Sequence, residues 1–275
     1  MSIYRQIRKH GLIQQAVLAF LALLTLYPFY FMVMTSLKDN EQFFKQFWSP
    51  ATPFHFENYT RILPRITGFI GNSILYSAPT LVLVCALALL TGYTFARYRF
   101  RGREILFLAM LSLMMLPGVL TLIPLFAQMR DWHWLGSIHG VVLPWTSFQI
   151  VFATFVMRVY FEKLPKEVFE AARIDGAGEI GLLRRIAIPL ALPGLGTIAI
   201  LNVLFTWNDI IWPLVSIFDR NAMPIAAGLL AFRSDLRTEY GPLFAGYTLA
   251  SIPLIVIFAF TIRRFIRGLE GGLSL

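Results

Sequence analysis

Long apolar runs divide the chain into segments that are each about as long as a membrane is thick. A helix needs about 20 apolar residues to cross the hydrocarbon core of a bilayer, and six runs reach that length. They cover residues 12–37, 69–96, 105–129, 138–157, 191–217 and 243–262. The runs are too long for strands and show no two-residue alternation. The pattern therefore predicts an all-α membrane protein with six transmembrane helices, whose internal prolines a helix bundle tolerates.

The composition agrees with this prediction. Of the 275 residues, 57% are hydrophobic and only 14% are charged, whereas about a quarter of the residues in a soluble domain are charged. The formal net charge is +9, which we attribute to the inner loops and to contact with membrane lipid. No basic face with groove-reading or base-stacking elements accompanies this charge, so nucleic acid is not expected as a partner.

The distribution of lysine and arginine predicts the orientation. With the N-terminus inside, the inner segments hold 16 basic residues and the outer loops hold 8. The inner segments would be residues 1–11, 97–104, 158–190 and 263–275, and the outer loops would be residues 37–68, 130–137 and 218–242. Because positive charge favours the cytoplasmic side, both termini are expected in the cytoplasm.

One inner segment, residues 158–190, is unusually polar and rich in glycine for so apolar a chain. Its first part, "LPKEVFEAARI", predicts an amphipathic helix that ends at Asp175-Gly176. The following "EIGLLRRI" predicts a second short helix, which Pro189 closes before the fifth span. An apolar stripe outside the bilayer needs a surface to pack against, so this insert is expected to bind a partner.

In this insert the chain resembles the integral membrane subunits of binding-protein-dependent ABC importers. Their signature is Glu-Ala-Ala, three residues, Gly, nine residues and Ile-x-Leu-Pro; here Ile188 replaces the leucine, and Leu183 stands where phenylalanine is frequent. The C-terminal "GLEGGLSL" lacks the frequent basic ending. Further matches that resemble the shorter six-span subunit of the maltose-transporter type are "GNSILYS", "GYTFARYRFRGRE", "MLPGVLTLIPLF" and "WNDIIWPL".

The resemblance implies the type I ABC importer permease fold as a single domain over residues 1–275, in a bacterial or archaeal inner membrane. It implies uptake of a sugar, such as a di- or oligosaccharide, by alternating access. The implied partners are a second permease subunit in a heterodimer, an ABC ATPase dimer and an extracytoplasmic sugar-binding protein. The chain contains no Gly-x4-Gly-Lys-Ser/Thr pattern, so ATP and Mg are expected on the ATPase and no cofactor is expected here.

Within residues 158–190, the resemblance makes Glu170 the anchor to the ATPase, Gly176 the bend between two short helices, and Pro189 the exit. Alternatives remain for each: Glu170 as a helix cap or a partner of Arg173, Gly176 as an ordinary helix end, and Pro189 as a mere helix boundary. The coupling residues implied by the motif are Glu170, Ala171, Ala172, Asp175, Gly176, Ile186 and Pro189.

Polar residues inside the spans are candidates for a translocation pathway. An intramembrane acid such as Asp209 is a functional candidate by default. It could line the path, pair with a partner subunit, lie near the outer interface or serve the structure alone. Asn72 and Ser73 are divided between helix packing and the pathway. The candidates are Asn72, Ser73, Asn202, Trp207, Asn208 and Asp209.

The outer loop at residues 218–242 is long for a connector and has an apolar centre. The resemblance implies that this loop reaches the sugar-binding protein; the alternative is a short interfacial helix lying on the membrane. The expected contact residues are Ala226, Ala227, Gly228, Leu229 and Leu230.

Catalysis within this chain is not expected. The four histidines show no paired metal-ligand spacing, and no Ser/His/Asp set is recognisable. A secondary transporter is the alternative function. It would be expected to show an internal repeat and its own midplane ion site. No convincing repeat is found, and such a carrier has no use for the polar insert.

Overall fold

A computed structural model describes residues 2–50, 52–236 and 239–273, with side chains described at residues 14–50, 52–231, 233 and 239–259. This described chain is helical and contains no strand, which confirms the all-α prediction. The helices are α1 Ser2–Ser36, α2 Asn40–Lys45, α3 Glu57–Arg97, α4 Arg103–Ser112, α5 Gly118–Asp131, α6 Ile138–Lys163, α7 Lys166–Ile174, α8 Glu179–Leu182, α9 Ile188–Asn208, α10 Ile211–Ser216, α11 Ile225–Leu236 and α12 Tyr240–Leu273. Two 3-10 turns, Leu113–Met115 and Arg220–Ala222, and one π-turn, Leu183–Ala187, complete the regular structure of the described residues.

Helices long and apolar enough to cross a membrane account for most of this chain. Within the described residues there are five, or six if a bent pair formed by Arg103–Met115 and Gly118–Asp131 is counted as one span. The five are Gln14–Ser36, Glu57–Arg97, Ile138–Lys163, Glu179–Asn208 and Tyr240–Ala259. The multi-pass membrane prediction is confirmed, although two of the predicted spans differ in shape.

The third predicted span, residues 105–129, is not one straight helix. Its two halves meet at an angle of 98°, and the turn falls on Leu116-Pro117. A proline ring disfavours helical backbone at the preceding residue, and Leu116 is indeed extended, with φ −77° and ψ 121°. An apolar run predicts a membrane environment, but it does not predict the direction of the backbone through it.

The fifth predicted span, residues 191–217, begins and ends earlier than expected. α8, the π-turn and α9 form one helical stretch, Glu179–Asn208, so no separate short helix precedes the span. Pro189 lies in the first turn of α9 and does not end a helix. A π-turn, Leu183–Ala187, lies directly before it, close to where the helix lacks the hydrogen bond that proline cannot donate. At the other end, Asp209 is extended, with φ −70° and ψ 123°, and breaks the helix.

The chain forms two compact units, one of Met1–Ile66 with Ala231–Ile252 and the other of Thr67–Leu230 with Pro253–Leu275. We call these the terminal unit and the central unit. In the terminal unit, Lys38 is buried and its ammonium donates to the carbonyl oxygen of Gln46 at 2.5 Å. Burial lowers the pKa of Lys38. Asn58 Nδ2 donates to the carbonyl oxygen of Lys38 at 2.9 Å, which ties the loop after α1 to the start of α3.

In the central unit, the core lies where small residues let helices α3, α6 and α9 approach closely. Ala88 on α3, Ala153 on α6 and Ala191 on α9 are fully or almost fully buried. At Gly92, a Cβ atom would lie 2.4 Å from the Cβ atom of Met157, so only glycine fits that contact. Close approach through small residues is the usual basis of helix packing in membranes, where the hydrophobic effect between helices is weak.

Candidate functional site

The polar insert between α6 and α9 folds as a helix, a tight turn and the start of a long helix. α7 runs from Lys166 to Ile174, and Asp175 leaves the helical conformation at ψ 6°. Gly176 follows with φ +82°, a left-handed conformation that glycine adopts without strain. Its N–H donates to the carbonyl oxygen of Arg173 at 3.0 Å, and the N–H of Ala177 donates to that of Ala172 at 2.9 Å. Gly176 is therefore both the helix end and the bend.

The insert is held against the C-terminal end of α3 through one face. Phe169 is buried there, with the guanidinium carbon of Arg97 4.2 Å from the centre of its ring. Arg97 also donates to the carbonyl oxygen of Leu164 at 2.9 Å. The hydroxyl of Tyr98 donates to the carboxylate of Glu179 at the start of α8. Burial, together with this hydrogen bond, raises the pKa of Tyr98 to about 12.

Other side chains of the insert remain exposed. Ile174 and Ile180, one on each side of the Gly176 turn, are 86% and 82% exposed. Arg173 pairs with Glu179 at 3.2 Å rather than with Glu170. Among the described side chains, Glu170 has no ion pair and is exposed. An exposed carboxylate without an ion pair and two exposed isoleucines within one short segment are suited to docking.

The remaining motif residues differ in exposure. Ala171, Asp175 and Pro189 are exposed, whereas Ala172 and Ile186 are half-buried. The structure thus places the seven motif residues on α7, on the turn and on the continuous helix that follows, and it leaves most of them accessible.

Asp209 is bound within its own chain. Trp145 Nε1, from fully buried Trp145 on α6, donates to Asp209 Oδ2 at 2.6 Å. Asp209 Oδ1 accepts from the N–H of Ile211 at 3.2 Å. The carboxylate therefore spans the break between α9 and α10 and fixes it to α6.

The other pathway candidates on α9 differ in their surroundings. Asn208 Nδ2 donates back to the carbonyl oxygen of Leu204 at 2.7 Å, and Trp207 is buried. Asn202 is 1% exposed, and neither its Oδ1 nor its Nδ2 has a hydrogen-bond partner in the described part of the chain.

Asn72 and Ser73, at the other candidate position, hold the loop that precedes α11. Asn72 Nδ2 donates to the carbonyl oxygens of Asn221 and Met223 at 2.6 and 3.0 Å. Ser73 Oγ accepts from the N–H of Ile225 at 2.7 Å. The hydroxyl of Tyr76, one turn further along α3, donates to the carbonyl oxygen of Ala222 at 3.0 Å. We call these three side chains, Asn72, Ser73 and Tyr76, the loop anchor.

The five residues expected to contact a binding protein open α11, and only some are accessible. Ala227 and Gly228 are buried, and a Cβ atom at Gly228 would lie 2.6 Å from the ring of Phe69. Ala226 and Leu229 are half-buried, and Leu230 is 44% exposed. The accessible part of this segment is thus Leu230 together with the edges of Ala226 and Leu229.

Four residues that matter to this geometry were not singled out from the sequence: Tyr76, Arg97, Tyr98 and Trp145. Tyr76 and Trp145 lie in apolar spans, whereas Arg97 and Tyr98 lie where the basic segment 97–104 begins. The partners of Tyr76 and Trp145 lie 146 and 64 positions away in the chain, and no local pattern predicts such contacts. Within the described side chains, no group of three or more His, Cys, Asp and Glu residues could hold a metal ion.

Comparison with known proteins decides the family. The family described as "Binding-protein-dependent transport system inner membrane component" matches residues 86–271. The chain belongs to this family. It is thus an inner membrane component, in agreement with its multiple apolar helices.

Relatives match this inner membrane component over most of its length. The probable ABC transporter permease protein YurM of Bacillus subtilis is 31% identical over 90% of this chain and 82% of its own. The arabinooligosaccharides transport system permease protein AraQ of the same species is 32% identical over 92% of this chain and 91% of its own. The diacetylchitobiose uptake system permease protein NgcG of Streptomyces coelicolor is 28% identical over 96% and 89%.

A solved structure has the same fold. A bacterial ABC transporter involved in the import of the acidic polysaccharide alginate superposes with a TM-score of 0.80 at 26% identity, covering 95% of this chain and 98% of its own. The comparisons support an ABC transporter permease of the binding-protein-dependent type, and they give no support to the secondary transporter.

Proposed function

We propose that this permease imports a di- or oligosaccharide by alternating access, using ATP that separate subunits hydrolyse. The observation that carries the proposal is the accessible part of the insert, in which Glu170 has no ion pair among the described side chains and Ile174 and Ile180 are exposed. Apolar side chains exposed together outside the bilayer mark a surface that a partner can cover.

The substrate class rests on the relatives. The names of three relatives specify arabinooligosaccharides, diacetylchitobiose and trehalose or maltose, and the structural neighbour imports alginate. All of these are sugars joined by glycosidic bonds. We infer a cargo of the same class for this chain.

The partners follow from what the chain lacks and from its family. We place the insert in the cytoplasm, docked on an ATPase dimer that binds ATP and Mg, because this sequence has no Gly-x4-Gly-Lys-Ser/Thr loop of its own. A second permease subunit completes the membrane domain. We place a sugar-binding protein on the outer side to deliver the cargo; the family description supports a binding protein.

The long helix after the insert supplies the mechanical link. Because Glu179–Asn208 is one continuous helical stretch, a displacement of its first turn by the ATPase moves the helix up to the break at Asp209. Gly176 lets α7 and this helix change their mutual angle, since a left-handed glycine has no Cβ atom to resist rotation. Pro189 and Ile186 move with the helix.

Asn202 is the pathway residue we favour on this helix. A buried amide without partners is costly, and a conformational change that brings water or a sugar hydroxyl to it would remove that cost. Asn72, Ser73 and Asp209 have partners within the chain, which supports structural roles for them.

The coupling proposal is tested by replacing Glu170. In a purified transporter, Glu170→Ala should abolish sugar uptake and the stimulation of ATP hydrolysis by the loaded binding protein. Glu167→Ala is the matched control, because Glu167 is an exposed glutamate on the same helix; it should retain both activities. Equal uptake by the two variants would refute the role of Glu170.

The outer contact is tested by cross-linking at α11. We propose that Leu229 and Leu230 approach the binding protein, so Leu229→Cys and Leu230→Cys should cross-link to it in a nucleotide-trapped state. Ala227→Cys is the control, because Ala227 is buried and should react with nothing. Reaction of Leu230→Cys with lipid probes alone would favour an interfacial helix instead.

A further inference from the structure

A basic cavity lies between the insert and the C-terminal end of α3. It has a volume of ≈ 510 Å³, which is within the range of small-molecule sites. Its basic lining consists of Arg97, Arg99, Arg103, Lys166 and Arg173. Two acidic side chains, Glu162 and Glu170, also line it, which leaves a formal excess of three positive charges. We call this cavity the basic pocket.

The positive charges of the basic pocket are only partly neutralised by the protein. Glu162 pairs with Arg158, outside the pocket, at 2.8 Å. Arg103 pairs with Glu104 at 2.7 Å. Among the described side chains, Arg99 and Lys166 have no ion pair. Glu170 also lines the pocket and has no ion pair with a described side chain either. Like charges gathered without partners favour binding of an anion.

Arg97 is held in place at the wall of this pocket. Its guanidinium rests over the ring of Phe169 and donates one bond to the carbonyl oxygen of Leu164. Its Nε–H is buried and has no partner in the described part of the chain. A guanidinium that is fixed in orientation and has a spare donor is suited to an oxyanion, because its donors match the spacing of phosphate oxygens.

The position of the pocket identifies the source of the anion. It lies where the apolar span Glu57–Arg97 ends and the next apolar segment, beginning at Arg103, starts. Two side chains shortly after Arg103 are largely exposed, Ile105 at 74% and Leu108 at 63%, as expected of side chains that face lipid. Basic side chains at the edge of a lipid-facing apolar surface lie at the depth of lipid phosphates.

From this geometry we propose that the basic pocket binds the phosphate of an anionic membrane lipid, with Arg97, Arg99 and Lys166 as its principal contacts. The proposal depends on the membrane location of the chain and not on its cargo or its energy source. A soluble phosphate could use the same donors, so the experiment separates the two sources.

The test measures lipid binding to the full-length chain in detergent, with any subunits that accompany it, by native mass spectrometry. Phosphatidylglycerol is titrated against phosphatidylcholine, and inorganic phosphate is added separately. Wild type should prefer phosphatidylglycerol, and Arg99→Gln/Lys166→Gln should weaken this binding roughly tenfold or more. Arg184→Gln/Arg185→Gln is the matched control, because it removes two exposed positive charges outside the pocket.

Three outcomes would overturn the proposal. The first is equal affinity of wild type for both lipids, and the second is an equal loss of lipid binding in the pocket variant and the control. The third is full displacement of lipid by millimolar inorganic phosphate, which would assign the site to a soluble anion. Melting temperatures of both variants confirm that the fold is retained. Since the readout is lipid binding, it stays valid whether or not the chain imports sugar.

Discussion

At the scale of single residues, this permease depends on contacts that only one residue type can make. Gly92 on α3 faces α6 so closely that even a methyl group would meet the Met157 side chain and the backbone N of Arg158. Gly194 on α9 lies against the ring of Tyr160 in the same way. Because these glycines set the distance between helices, replacing either one with a larger residue should lower the stability of the fold.

We predict that Gly92→Leu destabilises the chain strongly. The new side chain must push α3 and α6 apart, and overpacking of this kind costs about 1–3 kcal/mol or more. Thermal unfolding in detergent measures the change. Gly71→Ala on the same helix is the control, because a Cβ atom there has nothing within 4 Å. The interpretation of Gly92 as a packing contact is wrong if both variants melt at the wild-type temperature.

A second prediction concerns Asp209. Asp209→Asn keeps an oxygen that accepts from Trp145, so it should melt close to the wild-type temperature. Asp209→Leu leaves the buried indole N–H unpaired, at a cost of about 1–3 kcal/mol. The Trp145→Phe/Asp209→Leu double variant removes both partners and should recover part of the loss. A loss in Asp209→Leu that the double variant does not reduce would show that the bond to Trp145 is unimportant.

Residues of this kind show what a sequence can and cannot predict. Asp209 stands out because an acid in an apolar run needs an explanation, but nothing near it indicates Trp145 as the partner. Asn72 and Ser73 stand out for the same reason, and their partners at residues 221–225 lie on a loop that shows no complementary pattern. Unusual residues are visible in the sequence, whereas their contacts depend on the tertiary fold.

At the scale of elements, apolar runs and helices coincide only approximately. The runs predict where the chain is apolar. The first helix of the insert and its turn are predicted well because Asp175-Gly176 is a strong local helix end, whereas the predicted second short helix is continuous with the span. The bend at Leu116-Pro117 and the break at Asp209 lie inside apolar runs long enough to be predicted as single spans. The sequence permits a helix there, and proline geometry in one case and a tertiary hydrogen bond in the other interrupt it.

The loop anchor is the element-scale contact that is most open to measurement. We predict that Asn72→Ala/Ser73→Ala loosens residues 221–225, because their backbone groups lose three hydrogen bonds. Hydrogen–deuterium exchange of a peptide covering residues 219–230 should be faster in the variant than in wild type.

Ser77→Ala is the control for this experiment. Ser77 is buried one turn along the same helix, and its hydroxyl has no partner in the described part of the chain. Unchanged exchange in the double variant, or an equal increase in the control, would contradict the role of the loop anchor.

At the scale of the whole molecule, two features of the central unit bear on transport. The insert leaves Glu170, Ile174 and Ile180 accessible, and the loop anchor orders another segment before α11. The continuous helix Glu179–Asn208 leads from the insert through the span that carries Asn202. We therefore interpret the chain as a membrane component that is moved by a separate ATPase and transmits this movement along the helix.

The most direct test of this interpretation is uptake into proteoliposomes. The chain, purified with its accompanying subunits, is reconstituted with a labelled oligosaccharide and its binding protein outside. The account predicts uptake only when hydrolysable ATP is supplied on the side of the insert, and loss of this uptake in Glu170→Ala. Uptake of the sugar by the reconstituted chain alone, driven by an ion gradient without ATP or any ATPase subunit, would contradict it.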